Sequence, residues 1–236
     1  MTHRYLRLSW WMARLCDLGA GHVPPRLTLA ALAWSGWFDG EPELRQLASW
    51  VRPGTVALDV GANRGIWSWH MRRLGAHVHA FEPNPKLARQ LRAALPEVSV
   101  HACALSDREG EAELRFPVVR GVVYDGWATV ETANRFATLA TEGERRVPIR
   151  LRRLDEFRLA RVDFVKIDVE GHELAVLRGG EETLRRCRPI LLFEADDRHR
   201  PGTVAACRTW LAGLGYRVTP ATSPGMWVAR RGARTS

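Results

Sequence analysis

The stretch from Thr55 to Pro83 begins with the letters TVALDVGANRG and ends with HVHAFEP. Its first part is an apolar, β-branched run that ends at Asp59, and two glycines, Gly61 and Gly65, follow where an amphipathic segment begins. This order predicts a strand, a tight turn and a helix. Glycines at such a turn let backbone N–H groups and the helix N-terminus approach a ligand that a Cβ atom would push away.

An acid follows the second predicted strand of this stretch. Glu82 comes directly after the run Val78 to Phe81. An acid roughly 20 residues beyond a glycine-rich turn commonly binds the hydroxyls of a ribose. The pattern therefore predicts a cofactor that carries a nucleoside, and an ordinary strand, turn and helix without a ligand is the alternative.

The spacing of the glycines indicates which cofactor to expect. A dinucleotide-binding turn has a further glycine where this chain has Asn63, and the pattern here is D-x-G-x-N-x-G, beginning at Asp59. A carboxylate at this position would repel a pyrophosphate, but it attracts a ligand that carries an ammonium group. S-adenosylmethionine carries an ammonium and a sulfonium, so we expect this cofactor rather than NAD.

The composition is that of one soluble globular domain, with 236 residues of which 46% are hydrophobic. The net charge of +9 and the isoelectric point near 10.3 permit nucleic-acid binding. However, the basic residues are scattered among alanines and leucines, which is typical of solvated helix faces. We therefore expect no stable nucleic-acid partner, and an anion-rich partner stays as the alternative.

The cysteine spacing and the distribution of apolar residues indicate the compartment to expect. The cysteines show no C-x-x-C spacing, which favours reduced thiols over disulfides or a zinc site: Cys16, Cys103, Cys187 and Cys207. No stretch approaches the roughly 20 uninterrupted apolar residues of a membrane span, and the N-terminus lacks the pattern of a signal peptide. We expect a cytoplasmic protein with at most weak peripheral contact with a membrane.

The first 50 residues predict an N-terminal helical extension. Apolar residues recur at helical spacing in residues 5–18, at Leu8, Trp11, Leu15 and Leu18. Two further helices are predicted at 27–34 and 42–51. Such an apolar stripe usually docks on its own protein, so we expect the extension to form a cap over the acceptor cleft rather than to anchor the chain in a membrane.

The remaining chain predicts one α/β domain, residues 51–231, followed by a frayed tail at 232–236. Strands are predicted at 55–60, 77–82, 98–104, 162–168, 189–194, 216–219 and 225–230. Helices are predicted between them at 64–74, 84–95, 172–186 and 203–213. This alternation favours a mostly parallel sheet with helices on both faces. Two more strands, 111–116 and 147–153, lie on either side of an insertion at 117–145 that has no clear period and is a functional or mobile loop by its length.

Acidic residues stand at or just after the predicted strand ends: Asp59, Glu82, Asp107, Asp168 and Glu194. Singly, each is more often a helix cap or a solvated acid. Ligands in open α/β sheets lie beyond the carboxyl ends of the strands, so together these acids predict a site.

Several of these motifs, taken in order, resemble one family. The runs DVGANRG, AFEPN, ALSD, RLDEF, VKIDVEGHE and LFE are similar to those of the FkbM family of S-adenosylmethionine-dependent methyltransferases, over about residues 45 to 195. The resemblance implies a class I methyltransferase fold with a seven-stranded sheet. It also implies O-methylation of a hydroxyl, often on a sugar or a polyketide.

The resemblance also implies roles for individual residues. It places the methionine end of the cofactor at Asp59, Gly61, Asn63 and Gly65, with Asp168 nearby. It places the ribose at Glu82 and Pro83, and the adenine at Ser106 and Asp107.

Methyl transfer to a hydroxyl requires alignment of the acceptor and removal of one proton. Asp168, Glu170 and His172 crowd the end of the strand at 162–168, and we expect Asp168 or His172 to accept that proton. We expect Lys166 to serve the fold instead, as a buried cation paired with Glu194 on the neighbouring strand.

A divalent metal is an alternative that we do not expect. Its ligands would be Asp168, Glu170, His172 and Asp196, but no spacing among them is diagnostic of a metal site. The predicted function is O-methylation of a small molecule or glycan, and the oligomeric state is left open. The alternatives are a nucleic-acid methyltransferase, such as one acting on RNA, and a partner module that binds the cofactor without catalysis.

Overall fold

The computed structural model describes residues 23–39, 41–119, 121–123, 128–131, 141–198 and 201–232. The predicted helix at 5–18, the tail from 233 and parts of the 117–145 insertion lie outside these ranges. The helices are α1 (Pro25–Asp39), α2 (Ile66–Arg73), α3 (Pro85–Ala94), α4 (Glu173–Gly179), α5 (Glu181–Cys187) and α6 (Thr203–Gly213), with 3₁₀ helices at Pro42–Ser49 and Leu154–Phe157.

The strands are β1 (Val56–Val60), β2 (His77–Phe81), β3 (Ser99–His101), β4 (Ala104–Leu105), β5 (Gly110–Val119), β6 (Val122–Val123), β7 (Gly143–Arg152), β8 (Phe164–Ile167), β9 (Ile190–Glu194), β10 (Tyr216–Pro220) and β11 (Met226–Arg231). Seven of them form one sheet in the order β10-β11-β9-β8-β1-β2-β3. The five strands from β9 to β3 are parallel, and β11 pairs antiparallel with both β9 and β10. The predicted mostly parallel, seven-stranded sheet is confirmed.

Helices cover both faces of this sheet because successive strand residues point to opposite sides. Ala57 packs on one side with residues of α1, α2, α3 and the first 3₁₀ helix. Leu58 packs on the other side with residues of α4, α5 and α6. Leu29 and Leu44, from the predicted N-terminal extension, belong to the same core as Ala57. The boundary between an extension and a main domain at residue 50 stays a prediction.

A second, four-stranded sheet was not predicted. Its order is β4-β7-β5-β6, and the long antiparallel pair of β5 and β7 forms most of it. The single strand predicted at 98–104 is wrong, because β3 ends at His101 and β4 joins the second sheet. The second sheet has its own small core, which includes Leu114 and Ile149.

The helix predicted at 172–186 is also wrong as one element. It breaks at Gly180 into α4 and α5. A Cβ on Gly179 would collide with the carbonyl oxygen of Ser106. The chain therefore passes close to the end of β4 at this point, and only a glycine permits that approach.

No helix among the described residues is both long enough and apolar enough to cross a membrane.

Candidate active site

The turn after β1 is held close to the end of β8. Gly61 has a φ of +77° and donates its N–H to the carbonyl oxygen of Phe81 at 3.0 Å. A Cβ on Gly61 would collide with the carbonyl oxygen of Asp168. Gly65, with a φ of +89°, begins α2, and a Cβ there would collide with Leu91. Backbone conformation therefore favours glycine at both positions, and at Gly61 the contact with a backbone carbonyl oxygen adds a steric requirement.

Glu82 connects the ends of β1 and β2. Its Oε2 accepts the backbone N–H of Asn63 at 2.6 Å, and its Oε1 accepts that of Asn84 at 2.7 Å. Burial raises the pKa of the Glu82 carboxyl to about 7, although these two hydrogen bonds act to lower it. The carboxyl is thus fixed in orientation at the bottom of a cleft.

This cleft lies beyond the carboxyl ends of the parallel strands, where ligands bind in such sheets. It encloses about 610 Å³ of space, a volume that includes the solvent at its open mouth. Seven predicted site residues line it: Gly61, Asn63, Glu82, Pro83, Asp168, Glu170 and His172. Residues that were not predicted form its apolar wall: Cys103, Ala104, Leu105, Leu114, Ala128 and Val130.

Four predicted cofactor residues do not line this cleft. Gly65 lies at the start of α2, and Asp59 is fully buried below the turn, where its Oδ2 accepts a hydrogen bond from Ser68 Oγ at 2.6 Å. Ser106 is buried, whereas Asp107 is exposed beside Arg108. On the side predicted for the adenine, the residues that reach the cleft are Cys103 to Leu105.

Lys166 is the buried cation of the site. Its Nζ lies 3.1 Å from Asp168 Oδ2 and 4.0 Å from Asp59 Oδ1. Burial acts to lower the pKa of Lys166, but the two carboxylates outweigh it and raise the pKa above its usual value.

The prediction that Lys166 pairs with Glu194 is wrong, because its partners are Asp168 and Asp59. Lys166 lies directly opposite Asp59 in the parallel pairing of β8 with β1. On the β9 side it lies opposite Leu192, two residues before Glu194. Paired residues in a sheet point to the same face, so the register places Asp59 beside Lys166, and the ammonium group contacts Asp59 and Asp168.

Glu170 follows β8 in the turn toward α4. Its backbone has a φ of +55°, and its carbonyl oxygen accepts a hydrogen bond from Thr129 Oγ1 at 2.9 Å. Burial raises the pKa of the Glu170 carboxyl well above its usual value, and the nearby charge of Asp168 raises it further. A residue of the long insertion therefore holds the backbone of a residue that lines the cleft.

Asp168, Glu170 and Glu194 each place one carboxylate oxygen within 4.8 Å of the other two. This set differs from the predicted metal ligands. Asp196 instead accepts hydrogen bonds from Arg198, with 2.6 Å between Oδ2 and Nε. Carboxylate oxygens suit Mg²⁺ or Mn²⁺, but acidic groups also cluster where no ion binds, and metal independence stays a prediction.

Glu41 reaches the same region and was missed by the sequence prediction. Its Oε2 accepts a hydrogen bond from Trp67 Nε1 at 3.0 Å. Burial raises the pKa of Glu41 to about 7, which Lys166 opposes and Asp168 reinforces. No motif marks Glu41, because it precedes a short 3₁₀ helix in the segment before β1.

His172 lies at the edge of the cleft with limited freedom. Its Nε2 is 3.0 Å from Ser106 Oγ, whereas its Nδ1 is buried and lies 3.8 Å from Glu131 Oε2, too far for a hydrogen bond. Burial lowers the pKa of the imidazole, so the ring is neutral at pH 7. Its role as the proton acceptor stays a prediction, and this geometry favours a positioning role.

Glu173 gives the site a pH-dependent stability. Its Oε1 accepts the N–H of Gly171 at 3.0 Å, its Oε2 is buried, and burial raises the pKa of the carboxyl from 4.5 to about 7. Between these two pH values the folded protein keeps a proton that the unfolded chain has lost, so the stabilisation contributed by Glu173 decreases as the pH rises.

The measured quantity is the melting temperature of Glu173→Gln minus that of the wild type. We therefore expect this difference to increase from about pH 5 to about pH 7, because the wild type loses the stabilisation from Glu173, and to level off at higher pH. Differential scanning calorimetry across this range checks it, with the exposed-acid variant Glu182→Gln as the control. A difference that does not change with pH would show that Glu173 is already ionised at low pH.

The fold and this cleft together define a class of protein. The strand order, the antiparallel strand β11 between β9 and the edge strand β10, and the glycine turn beside an acid at the end of β2 are those of a class I, Rossmann-like methyltransferase. The sequence profile of the Methyltransferase FkbM domain matches residues 59–218. The chain therefore belongs to the FkbM family, and it is an S-adenosylmethionine-dependent methyltransferase.

Individual relatives agree with this assignment. The chain is 31% identical over 203 residues to the 31-O-demethyl-FK506 methyltransferase FkbM of Streptomyces tacrolimicus, which covers 74% of this chain and 77% of the relative. It is 28% identical to the 2-O-methyltransferase NoeI of Sinorhizobium fredii, over 64% of this chain and 68% of NoeI. It is 32% identical to the AMB antimetabolite synthetase AmbE of Pseudomonas aeruginosa, over 62% of this chain but only 9% of AmbE.

A solved structure has the same fold. The FkbM methyltransferase from Methylobacillus flagellatus superposes with a TM-score of 0.54 at 16% sequence identity, and the match covers 93% of this chain and 60% of that one. At this identity the likeness supports the fold alone.

Proposed function

We propose that this methyltransferase acts on the oxygen of a hydroxyl group, on a small molecule or a glycan. The observation that carries the proposal is the pair of carboxylates, Asp168 and Glu170, that lines the cleft beside the glycine turn. A hydroxyl must lose a proton when it is methylated, and a carboxylate within reach can accept it. The names of two relatives, a 31-O-demethyl-FK506 methyltransferase and a 2-O-methyltransferase, support methylation at oxygen.

The residues of the cleft fit S-adenosylmethionine. Glu82 offers carboxylate oxygens to ribose hydroxyls, and the wall of Cys103, Ala104 and Leu105 offers an apolar surface to a flat base. Asp168 offers a negative charge to an ammonium group. When bound, this cofactor supplies an electrophilic methyl group.

Glu170 is the proton acceptor in this proposal. Its raised pKa makes it a stronger base than an exposed carboxylate, which brings its strength closer to what proton removal near neutral pH requires. Asp168, held by Lys166 at 3.1 Å, orients the acceptor hydroxyl. His172 supports the site through its contact with Ser106.

The acceptor lies against the second sheet and the insertion in this proposal. Leu114 of β5 and two insertion residues, Ala128 and Val130, line the side of the cleft away from β1. These apolar side chains favour an acceptor that has an apolar portion next to its hydroxyl. Substitutions there should change the choice of acceptor more than the affinity for the cofactor.

Loss of the Glu82 carboxylate should weaken cofactor binding. We expect Glu82→Ala to bind S-adenosylhomocysteine about 10- to 100-fold less tightly, because a charged hydrogen bond to a ribose contributes about 1.5–3 kcal/mol. Isothermal titration calorimetry measures this, with Glu182→Ala as the control. An unchanged affinity in a folded variant would rule out the ribose assignment.

An RNA methyltransferase is the second candidate, and the net charge of +9 favours it. The small-molecule methyltransferase and the RNA methyltransferase differ in which fraction of a cell extract supports cofactor turnover. We expect the small-molecule filtrate of the extract to support production of S-adenosylhomocysteine, and we expect ribonuclease treatment to leave it unchanged. Turnover that is confined to the RNA fraction and lost after ribonuclease treatment would replace the proposal with the RNA candidate.

A further inference from the structure

Helix α1 is apolar on two opposite faces. Its inner face packs into the core through Leu29, Leu32 and Ala33. Its only charged residues, Arg26 and Asp39, stand at its two ends. A helix that is apolar all round is normally covered on every side, but only the inner face of α1 is covered by the described residues.

The outer face of α1 carries a continuous apolar stripe. Leu27, Ala31, Trp34 and Phe38 follow one another at spacings of four, three and four residues, so they lie on one side of the helix. Leu27, Trp34 and Phe38 are 61%, 65% and 59% exposed, and the rings of Trp34 and Phe38 stack with centroids 5.3 Å apart. The stripe is thus a single ordered surface.

This surface is where the described residues concentrate their exposed large apolar side chains. Within those residues the set is Val23, Leu27, Trp34, Trp37 and Phe38, all in or next to α1. Scattered exposed apolar residues need no explanation, but a contiguous patch of this kind marks an interaction surface.

The helices on this side of the sheet are rich in basic residues. Helices α1, α2 and α3 pack on the same face of the sheet, and their sequences contain six basic residues and one acid: Arg26, Arg72, Arg73, Lys86, Arg89 and Arg92, with Asp39. Glu97 lies close to Arg26 and Arg72, at 3.1 and 3.9 Å, and the side chains of Arg73 and Arg89 are exposed. The partner of this face is therefore expected to be anionic as well as apolar.

We propose that the outer face of α1 docks the enzyme on a membrane surface that contains anionic phospholipids. Trp, Phe and Leu side chains next to arginines and a lysine are the composition of a helix that lies in the lipid interface. Basic residues near such a surface are attracted by the negative charge of its lipids.

Other occupants fit the face less well. A second copy of the chain, packed through the same face, would bring the basic residues of both copies together without compensating acids. A nucleic acid would match the charge, but it would leave the aliphatic Leu27 and Val23 without an apolar partner.

Co-sedimentation of the full-length protein with vesicles tests the proposal. We expect binding to vesicles of phosphatidylcholine with about one third phosphatidylglycerol, weak binding to phosphatidylcholine alone, and loss of binding in about 0.5 M salt. Trp34→Ser with Phe38→Ser should lower the partition coefficient about tenfold or more, while methyl transfer to a soluble acceptor stays unchanged.

A matched pair of charge variants tests the electrostatic part. Arg73→Gln with Arg89→Gln should lower the binding to anionic vesicles, whereas Arg217→Gln with Arg230→Gln, the same change of charge on exposed residues of β10 and β11, should not.

Several outcomes would overturn the proposal. One is absence of vesicle binding, and another is binding that the Trp34 and Phe38 substitutions leave intact but that Trp10→Ser with Trp11→Ser abolishes, since the N-terminal segment would then be the anchor. Dimerisation that is lost with Trp34→Ser and Phe38→Ser would assign the face to a second copy. A gel shift with RNA that competes with vesicles would assign it to a nucleic acid.

Discussion

Replacement of Glu170 with glutamine is expected to lower the turnover of the enzyme by about 10²–10⁴-fold, the usual contribution of a general base. The carboxylate lies in the cleft, and glutamine keeps its size but cannot accept a proton. Because Glu170 is separate from the residues assigned to the ribose and the base, cofactor affinity should change little. Steady-state kinetics together with calorimetry measure both quantities.

Two further variants separate the roles at the end of β8. Asp168→Asn should lower both turnover and cofactor affinity, since this carboxylate orients the acceptor and attracts the ammonium group of the cofactor, whereas His172→Ala should cost less because both ring nitrogens face the protein. The control is Glu182→Gln, an exposed acid on α5. If Glu170→Gln keeps full activity while His172→Ala loses it, the imidazole is the base. If a chelator abolishes wild-type activity, the carboxylates instead hold a metal.

Replacement of Lys166 with methionine should cause the largest loss of stability. The side chain is 3% exposed and lies between Asp168 and the fully buried Asp59. Methionine fills similar space but leaves these carboxylates without their cation, a change that typically costs about 3–5 kcal/mol. Thermal unfolding should show a decrease in melting temperature of roughly 6–20 °C.

The chain supplies its own matched control for this substitution. It has only two lysines, and Lys86 is exposed at the start of α3, so Lys86→Met should leave the melting temperature nearly unchanged. Asp59→Asn in the Lys166→Met background should recover part of the loss, because it removes one buried charge. Equal effects of the two lysine substitutions would show that the buried charge cluster contributes little to the stability.

The parts of the fold that follow from local pattern were predictable. The sequence alone identified two glycines and one acid of the site, Gly61, Gly65 and Glu82. Their positions follow from the backbone conformation of the turn and from the order of elements along one strand–turn–helix unit. The main sheet was predictable for the same reason, since alternating strands and helices leave few other arrangements.

The second sheet and the charge partners were not predictable, because they depend on contacts between distant segments. β5 pairs with β7 across more than twenty intervening residues, and the local hydrophobic pattern of the sequence does not predict such a pairing. Lys166 was assigned the wrong partner because strand order and register decide which carboxylate faces it. Glu41 was missed because its importance arises only where Trp67 and the end of β8 meet it.

The destination of the methyl group tests the central claim most directly. The protein is incubated with a cell-extract filtrate and S-adenosylmethionine carrying a deuterated methyl group, and the products are separated and analysed by mass spectrometry and NMR. We predict a labelled product in which the CD₃ group is bound to oxygen, and we predict that its yield falls strongly with Glu170→Gln. Label on nitrogen or carbon, label in RNA only, or no transfer by a protein that binds the cofactor would contradict the proposed function.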